Sequence, residues 1–319
     1  MSRRVAIAIL DDYQKVALRS ADWSALGDVE LQVHHDHVVE PDRLVERLAP
    51  CAIICAMRER TRIDRALIAR LPELKLIVST GQRNSAIDVQ AAREAGILVC
   101  STGGSATAAP ELTWALLLAA ARRLPAEFDA MRRGRWQTTI GRDLAGATLA
   151  LIGLGGIGAT MARYGKAFGM EVIAWSENLD DARAAAAGAR RVEKDDLFRL
   201  GDFVSVHLRL SARTRGLVDA RALSLMKPDA ILVNTSRGPI VVEEAMIDAL
   251  RNRRIGGAAL DTFDIEPLPE DHPFRTLDNV VATGHVGYVT EGSYHIYYRE
   301  TVENIRAWLD GKPIRIMEP

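Results

Sequence analysis

The chain has 319 residues, and its 41 lysine and arginine side chains nearly balance its 42 aspartate and glutamate side chains. This length favours two domains, because single hydrophobic cores stop growing at roughly 250–300 residues. The balanced charge gives no broad field that would attract nucleic acid or an anionic membrane, so we expect a small molecule or a protein as partner. No stretch of about 18 apolar residues occurs, which predicts no membrane span and a soluble, cytoplasmic protein.

Apolar strand-like runs alternate with short helical segments through the first hundred residues. The predicted strands are RVAIAIL from Arg4, VELQVHH from Val29, CAIICAM from Cys51, LKLIVST from Leu74 and ILVCST from Ile97. The segments PDRLVERLA, DRALIARL and DVQAAREAG have helical spacing, and Gly96 ends the last of them. This alternation predicts one α/β unit with a parallel sheet.

No metal site is expected in this part of the chain. Cys51, Cys55 and Cys100 show no CxxC pair with matching histidines, so we expect buried free thiols. The run HHDH, residues 34–37, carries metal-capable side chains. Neighbouring residues on a strand point to opposite faces, however, so these side chains do not form a ready chelate.

A second α/β series follows one long apolar helix. The helix is predicted at Ala106–Leu124, is apolar almost all round, and is expected to be buried between domains or between subunits. The later strands are predicted at TLALI, EVIAW, DFVSVHL, AILVNTS, GGAALDTF and NVVATGH, and DDARAAAAGARR is predicted as an alanine-rich helix. This series predicts a second parallel sheet.

A glycine motif lies where the second series begins. Gly153, Gly155 and Gly158 have the G-x-G-x-x-G spacing, after the predicted strand TLALI and before helical spacing. The first two glycines allow a tight turn and close approach to a pyrophosphate, and the third lets the helix pack against the strand. A plain glycine turn is the alternative, but the strand, helix and following strand favour a dinucleotide site.

The choice of dinucleotide depends on the end of the strand EVIAW. An acidic residue about 20 positions after the glycines holds the adenosine ribose hydroxyls in such sites. Ser176 stands there and Glu177 follows, and SENLDD offers no basic partner for a 2′-phosphate. We therefore predict NAD as the cofactor, with NADP possible.

The downstream motifs carry a resemblance that spans nearly the whole chain. The segments NTSRG, LDTFDIEPLP and ATGH follow one another in this order. Through them the sequence resembles the D-isomer-specific 2-hydroxyacid dehydrogenases, which include phosphoglycerate, glycerate and hydroxypyruvate-type enzymes. The resemblance implies two doubly wound parallel-sheet α/β domains. These are a central Rossmann domain at 102–290 and a flavodoxin-like substrate domain formed by 1–101 and 291–319. It also implies a cleft between the domains and a homodimer.

The resemblance also implies roles for particular residues. Arg237 is similar to the family's substrate-binding arginine, His285 to its catalytic histidine and Glu266 to the acid paired with that histidine. Asp261 resembles the residue near the nicotinamide amide. With the glycine motif, the predicted cofactor-binding residues are Gly153, Gly155, Gly156, Ile157, Gly158, Ser176, Glu177, Thr235 and Asp261.

The chemistry of these side chains agrees with the implied roles. Reduction of a 2-keto acid needs a cation for its carboxylate and polarised carbonyl, and an acid for the developing alkoxide. Arg237, His285 and Glu266 supply these functions, and all three follow strand-like runs, so they are expected at the carboxyl edge of a parallel sheet. Taken singly, each also has a purely structural interpretation: Arg237 as a turn residue, His285 as a strand-end histidine and Glu266 as a surface charge.

Several positions depart from the family pattern. Gly284 replaces the proline of the usual TPH, which leaves the backbone before His285 less constrained. Gly156 stands where a larger polar residue is common, and Arg209 stands where proline is usual.

The segment STGQRNSAID resembles the family's glycine-rich carboxylate loop. Its predicted substrate-binding residues are Gly81, Gln82 and Arg83, through backbone N–H groups near Gly81 and Gln82. Arg83 replaces the second glycine of that loop. It supplies either a second cation for a more acidic substrate or an ordinary salt bridge, and the salt bridge is favoured because most arginines are structural or solvated.

The sequence as a whole predicts an oxidoreductase that uses NADH to reduce a small 2-keto acid to a D-2-hydroxy acid. A dinucleotide-sensing interaction protein on the same scaffold is the main alternative, and a Rossmann methyltransferase would explain the glycines but not the later motifs. The motifs do not identify the substrate, because side-chain selectivity depends on the shape of the site.

Overall fold

The computed structural model describes residues 4–319, which divide into two compact units. Unit 1 contains the residues up to Ser105 together with Val289–Pro319, and unit 2 contains Ala106–Tyr288. Each unit has its own sheet, in which all strands are parallel.

Unit 1 is built on a five-stranded sheet. Its strands are β1 (Val5–Ile9), β2 (Val29–Val33), β3 (Ile53–Ala56), β4 (Leu76–Ser79) and β5 (Leu98–Ser101). Its helices up to this point are α1 (Pro41–Leu48), α2 (Arg65–Ile68) and α3 (Val89–Glu94). The strand order β2-β1-β3-β4-β5 is the flavodoxin-like order. The central strands are buried along their whole length, which is why they read as unbroken apolar runs.

Local signals in the sequence end the elements of unit 1 as predicted. Gly96 has φ of +72°, a conformation that favours glycine, and it stops α3. The thiols of Cys51, Cys55 and Cys100 are buried and unpaired, as expected. Desolvation by burial raises the pKa of Cys51 and of Cys100 to about 11, so both stay protonated near neutral pH.

Unit 2 is built on a seven-stranded sheet. Its strands are β6 (Thr148–Ile152), β7 (Glu171–Trp175), β8 (Arg190–Arg191), β9 (Phe203–Val206), β10 (Ile231–Asn234), β11 (Gly257–Leu260) and β12 (Val280–Ala282). Its helices are α4 (Ala108–Ala121), α5 (Leu124–Arg132), α6 (Gly156–Ala167), α7 (Asp181–Ala186), α8 (Lys194–Leu200), α9 (Ala220–Leu225) and α10 (Glu243–Arg251). The order β12-β11-β10-β9-β6-β7-β8 is that of a Rossmann sheet with one added edge strand.

The seven-stranded sheet has a hydrophobic core on each face, because alternate residues of a strand point to opposite sides. On β6, Ala150 and Ile152 enter the core that also contains Phe198 of α8. Leu149 and Leu151 enter the other core. Together with unit 1, this sheet confirms the predicted fold class of two doubly wound parallel-sheet domains.

Two predicted elements of unit 2 are shorter in the structure. Helix α4 ends at Ala121 instead of Leu124, and within this unit it packs on β10, β11, β12 and α6. Its burial between domains or between subunits stays a prediction. The alanine-rich helix α7 ends at Ala186, and Arg190–Arg191 form an edge strand instead of a last helical turn. Gly188, with φ of +75°, breaks the helix between them.

The last helix, α11 (Glu291–Leu309), returns the chain to unit 1. Tyr297 and Tyr298 are buried on it, and the hydroxyl of Tyr294 donates to Oε1 of Gln14 at 2.8 Å. Within residues 4–319, no helix has both the length and the apolar character needed to cross a bilayer.

Candidate active site

The glycine turn after β6 has the shape that a dinucleotide requires. Gly153 has φ of +98°, and a Cβ atom there would lie 2.6 Å from the backbone oxygen of His207. A Cβ atom on Gly158 would lie 2.2 Å from the backbone oxygen of Gly153. Both positions therefore require glycine, the first for its backbone and the second for helix packing.

The outer side of the same turn is open. Apart from chain neighbours and the backbone of α6 itself, no heavy atom of residues 4–319 lies within 4 Å of the Cβ position of Gly155 or Gly156. Helix α6 begins at Gly156, and Ile157 follows with 41% of its surface exposed. The N–H groups of a first helical turn have no acceptor within the helix and carry the positive end of its dipole. The residues present thus fit a pyrophosphate, and with it the dinucleotide predicted from the sequence.

The residues predicted to meet the adenosine ribose follow β7 directly. Ser176 is half-buried and Glu177 is exposed on the turn after that strand. This places both at the carboxyl edge of the sheet, on the same edge as the glycine turn. Their contact with a ribose stays a prediction.

The turn after β10 is closed by a buried asparagine. The Asn234 amide donates to the backbone oxygen of Arg237 at 3.0 Å, and its Oδ1 accepts from the N–H of Ser236 at 3.1 Å. Arg237 is half-buried, and its Nη1 donates to the backbone oxygen of Ser236 at 2.7 Å. The hydroxyl of Thr235 lies 2.6 Å from that of Thr113 on α4. Residues predicted for the site therefore stand on a turn fixed by its own side chains.

A close backbone approach joins this turn to the one that follows β11. A Cβ atom on Gly238 would lie 2.1 Å from the carbonyl carbon of Phe263. The N–H of Phe263 in turn donates to Oε1 of Glu266 at 2.9 Å. The glycine after Arg237 thus lets the two turns touch, and the second turn holds the Glu266 carboxylate in place.

The histidine and the acid predicted to pair are in direct contact. Nδ1 of His285, in the segment after β12, lies 2.6 Å from Oε2 of Glu266, after β11. Both side chains are partly exposed, at 19% and 34%. The ring of Tyr288 packs edge-on against the imidazole at 5.5 Å. With Nδ1 facing the carboxylate, Nε2 is the nitrogen that can exchange a proton with a ligand.

Asp261 fixes the segment that carries His285. Its Oδ1 accepts from the hydroxyl of Thr283 at 2.6 Å and from the N–H of Val286 at 2.8 Å, and its Oδ2 accepts from the N–H of Gly287 at 2.8 Å. Asp261 is fully buried, and desolvation raises its pKa although these three donors act in the opposite direction. The contact with a nicotinamide amide predicted for Asp261 stays a prediction.

This arrangement explains how the histidine is held without the family's proline. Within residues 4–319, and apart from its chain neighbours, no atom lies within 4 Å of the Cβ position of Gly284, so this position is open. His285 has φ of +52°, an uncommon conformation for a histidine, which the flanking hydrogen bonds to Asp261 maintain. The constraint thus comes from a buried carboxylate on the neighbouring strand.

The predicted carboxylate loop of unit 1 requires one correction. The N–H of Gly81 donates to Oγ1 of Thr102 at 2.8 Å, so it is already paired and is not a ready donor for a substrate. Gly81 has φ of +83°, and the guanidinium of Arg58 lies against its Cα. Thr102 follows β5, twenty-one residues later, and no local pattern in the sequence indicated this contact.

The salt bridge favoured for Arg83 also requires a correction. It is exposed, and no carboxylate of residues 4–319 forms an ion pair with it. The ordinary salt bridge expected from the sequence is therefore wrong for the part of the chain that the structure describes.

A second histidine–carboxylate pair lies in unit 2. Nε2 of His272 is 3.1 Å from Oε1 of Glu243, while its Nδ1 accepts from the N–H of Phe274. Both ring nitrogens of His272 therefore face partners within unit 2, whereas the His285–Glu266 contact uses Nδ1 alone.

Histidines of the run HHDH, residues 34–37, bond to neighbouring residues of unit 1. Nδ1 of His37 lies 3.0 Å from Oδ1 of the buried Asp11, and Nδ1 of His35 lies 3.0 Å from the backbone oxygen of Asp12. Within the described residues, 4–319, no group of three or more His, Cys, Asp or Glu side chains is placed to hold a metal ion.

Comparisons with known proteins agree with this geometry. The family model described as D-isomer specific 2-hydroxyacid dehydrogenase, NAD binding domain, matches residues 114–287. The chain is 36% identical over 293 residues to an (S)-sulfolactate dehydrogenase of Chromohalobacter salexigens, covering 89% of this chain and 94% of that protein. A solved structure of a phosphoglycerate oxidoreductase from Vibrio cholerae O395 is 38% identical, with a TM-score of 0.92 and coverage of 96% and 99%.

A longer relative is also similar. The chain is 34% identical over 312 residues to a D-3-phosphoglycerate dehydrogenase of Methanocaldococcus jannaschii. That match covers 97% of this chain but 58% of the relative, so the chain spans little more than half of that protein's length.

Proposed function

We propose a function for this chain, which belongs to the D-isomer specific 2-hydroxyacid dehydrogenase family. The protein transfers a hydride between NAD(H) and a small D-2-hydroxy acid or the corresponding 2-keto acid. The observation that carries the proposal is the 2.6 Å contact between Nδ1 of His285 and Oε2 of Glu266. A glycine turn suited to a pyrophosphate, in the same unit, supports it.

Each residue of the site has a distinct task in reduction. NADH, when bound, supplies the hydride. His285 holds a proton at Nε2 and gives it to the developing alkoxide, and Glu266 orients the ring through Nδ1. Arg237 binds the substrate carboxylate and polarises the carbonyl, a task that suits a planar and permanently charged guanidinium. Oxidation of the hydroxy acid uses the same groups, with neutral His285 as the base.

The cofactor is NADH rather than NADPH. Glu177 follows β7 on the turn where the adenosine ribose is expected, and its negative charge repels a 2′-phosphate. We therefore expect a higher kcat/KM with NADH, measured at saturating keto acid. Equal or better kcat/KM with NADPH would contradict the assignment of this turn.

The test of the function is a reduction assay. Purified protein is mixed with NADH and a panel of 2-keto acids that includes glyoxylate, hydroxypyruvate and the keto forms of the acids named for the relatives, phosphohydroxypyruvate and sulfopyruvate. We expect NADH oxidation with at least one of them. The variant His285→Ala should lose most turnover while keeping NADH binding, measured by fluorescence, because the glycine turn is separate from the histidine. Tight binding of NADH with no turnover across the panel would favour a dinucleotide-sensing interaction protein instead.

We also propose that the protein is a homodimer. Apolar side chains are exposed on α5 and on the segment that follows it, namely Phe128 (57%), Met131 (61%), Trp136 (72%) and Ile140 (93%). We call these four residues the apolar patch. Ile140 and Pro125 also line a recess of about 180 Å³ in unit 2. Protruding apolar side chains and a recess in one region suit a two-fold contact, in which each copy offers the same surface.

A further inference from the structure

The loop between β4 and α3 is fixed by a buried side chain. Asn84 is 5% exposed, and its amide donates to the backbone oxygen of Arg58 at 2.6 Å and to Oγ of Ser79 at 3.0 Å. Its Oδ1 accepts from the N–H of Ala86 at 2.9 Å. Together with the paired N–H of Gly81, these contacts give the loop one defined backbone shape.

The tip of this loop presents unpaired donors. Within residues 4–319, no acceptor lies in hydrogen-bond geometry with the N–H groups of Gln82 and Arg83. Both residues are exposed, and they follow Gly81, whose φ is +83°. Successive N–H groups beside a left-handed residue form a concave site for an anion. The N–H groups open to an anion are therefore those of Gln82 and Arg83, one residue further along the chain than the sequence predicted.

The Arg83 side chain extends from the same tip, and no carboxylate of the described residues, 4–319, pairs with it. Its loop neighbours Gln82, Asn84 and Ser85 are uncharged. The nearest acidic residue along the chain, Asp88, accepts from the N–H of Ala91 at 2.8 Å and so caps α3. An exposed arginine beside free N–H donors makes this tip a cationic site that protein carboxylates do not fill.

Two other arginines near this edge of the sheet are engaged by the protein itself. Nη1 of Arg58 donates to the backbone oxygen of Thr80 at 3.2 Å. Nη1 of Arg60 donates to the backbone oxygen of Asp11 at 2.6 Å, and its guanidinium lies 4.3 Å from the centre of the Tyr13 ring. The guanidinium groups of Arg58 and Arg60 therefore bond to the protein itself. Within residues 4–319, the Arg83 guanidinium has no such bond.

We infer that Arg83 selects 2-keto acids that carry a second anionic group on C3. The C1 carboxylate accepts from the N–H groups of Gln82 and Arg83, and the Arg83 guanidinium pairs with the C3 anion. A guanidinium can bind two oxygens of a sulfonate, a phosphate monoester or a carboxylate at once, which a glycine at this position cannot do. The inference rests on the proposed reduction of 2-keto acids and specifies the substrate class within it.

The experiment compares two sets of substrates at saturating NADH. The first set, glyoxylate, pyruvate and hydroxypyruvate, has one anionic group. The second set, oxaloacetate, sulfopyruvate and phosphohydroxypyruvate, has two. The enzymes are wild type, Arg83→Gln, Arg83→Lys and the control Arg93→Gln. Arg93, on α3 of the same unit, is 69% exposed and pairs with Glu318 at 3.5 Å, so its loss changes the net charge equally.

We expect wild-type enzyme to prefer members of the second set. In Arg83→Gln, kcat/KM for the second set should fall at least tenfold further than kcat/KM for the first set, because a charge-assisted contact is lost only by the dianions. Arg83→Lys should recover part of this preference, and Arg93→Gln should change both sets by less than about twofold. Thermal unfolding of each variant shows whether its fold is retained.

Two results overturn the inference while the proposed function stands. One is wild-type enzyme that reduces the first set better than the second. The other is a folded Arg83→Gln variant in which both sets lose kcat/KM equally or not at all. Failure of wild-type enzyme to reduce any member of either set overturns the proposed function itself, and with it the role of Arg83.

Discussion

At the scale of single residues, the site depends on carboxylates with different surroundings. Glu266 is about one-third exposed and contacts the imidazole of His285 directly. Asp261 is fully buried, and its side chain accepts from Thr283, Val286 and Gly287 in the segment around the histidine. The first therefore orients the ring directly, and the second holds the backbone that carries it.

The role of Glu266 is testable by substitution. Its Oε2 lies 2.6 Å from Nδ1 of His285 and so fixes which ring nitrogen faces the carboxylate. Glu266→Gln keeps a hydrogen-bonding group of nearly the same shape but removes the carboxylate, so kcat/KM for reduction should fall by about tenfold or more. The measurement is kcat/KM for reduction with saturating NADH, beside NADH binding by fluorescence, which should be retained.

Glu243→Gln is a matched control for this variant. Glu243 stands 3.1 Å from Nε2 of His272, so its replacement also removes a carboxylate from a histidine in unit 2. The His272–Glu243 pair is outside the residues proposed for the site, so Glu243→Gln should change kcat/KM for reduction by less than about twofold. A folded Glu266→Gln variant with unchanged kcat/KM would leave Glu266 without a role in the reaction.

The sequence predicted the site residues unequally well, for a physical reason. Arg237, Glu266 and His285 stand in local motifs that follow strands, so a parallel sheet brings them to one edge. The pairing of Gly81 with Thr102 depends instead on two strand ends that are neighbours only in the folded sheet. Patterns along the chain predict which residues follow strands, but not which donors are already used by a neighbouring strand.

At the scale of elements, the glycine turn is supported by β9 and by His207, the residue that follows this strand. The backbone oxygen of His207 lies against Gly153, and the side chain of His207 packs near Gly158. Nε2 of His207 lies 2.9 Å from Oγ of Ser205 on the strand. Desolvation at this position lowers the pKa of His207 to about 4, so the folded protein holds the ring neutral at neutral pH.

This histidine makes unit 2 sensitive to acid. An unfolded chain protonates a histidine near pH 6.5, whereas the folded chain does so near pH 4, so the unfolded state binds more protons between these values. The stability that His207 contributes is present above pH 6.5 and is lost as the pH falls to 4. The loss is about 3 kcal/mol at most. We expect His207→Gln to show a smaller decrease in unfolding free energy between pH 7 and pH 4.5, measured by urea denaturation.

The variant His295→Gln controls for the loss of a histidine as such. His295 is exposed on α11, so its replacement should leave the acid dependence of unfolding as in wild type. An equal decrease for wild type and His207→Gln would show that other groups account for the acid sensitivity.

At the scale of the whole molecule, the alternation of strands and helices made the fold class predictable. Strands buried on both faces read as unbroken apolar runs, and this pattern gave both parallel sheets. The two-residue strand β8 was not predictable, because Arg190 and Arg191 have no apolar pattern and their pairing depends on β7. The boundaries proposed from the resemblance, and the assignment of substrate binding to unit 1, stay predictions.

Assembly is the last property that belongs to this scale. The apolar patch exposes four large side chains, and Phe128 and Met131 share a face of α5 because they are three residues apart. If a second copy covers the patch, the double variant Trp136→Ser and Ile140→Ser should shift the protein from dimer to monomer, since two desolvated anchors are lost at once. Light scattering after size exclusion, over micromolar concentrations, measures this shift.

The variant Leu18→Ser is a control for this prediction. It removes an apolar side chain of unit 1 that is 55% exposed and should leave the dimer intact. Wild-type protein that is monomeric throughout this range would contradict the proposed homodimer.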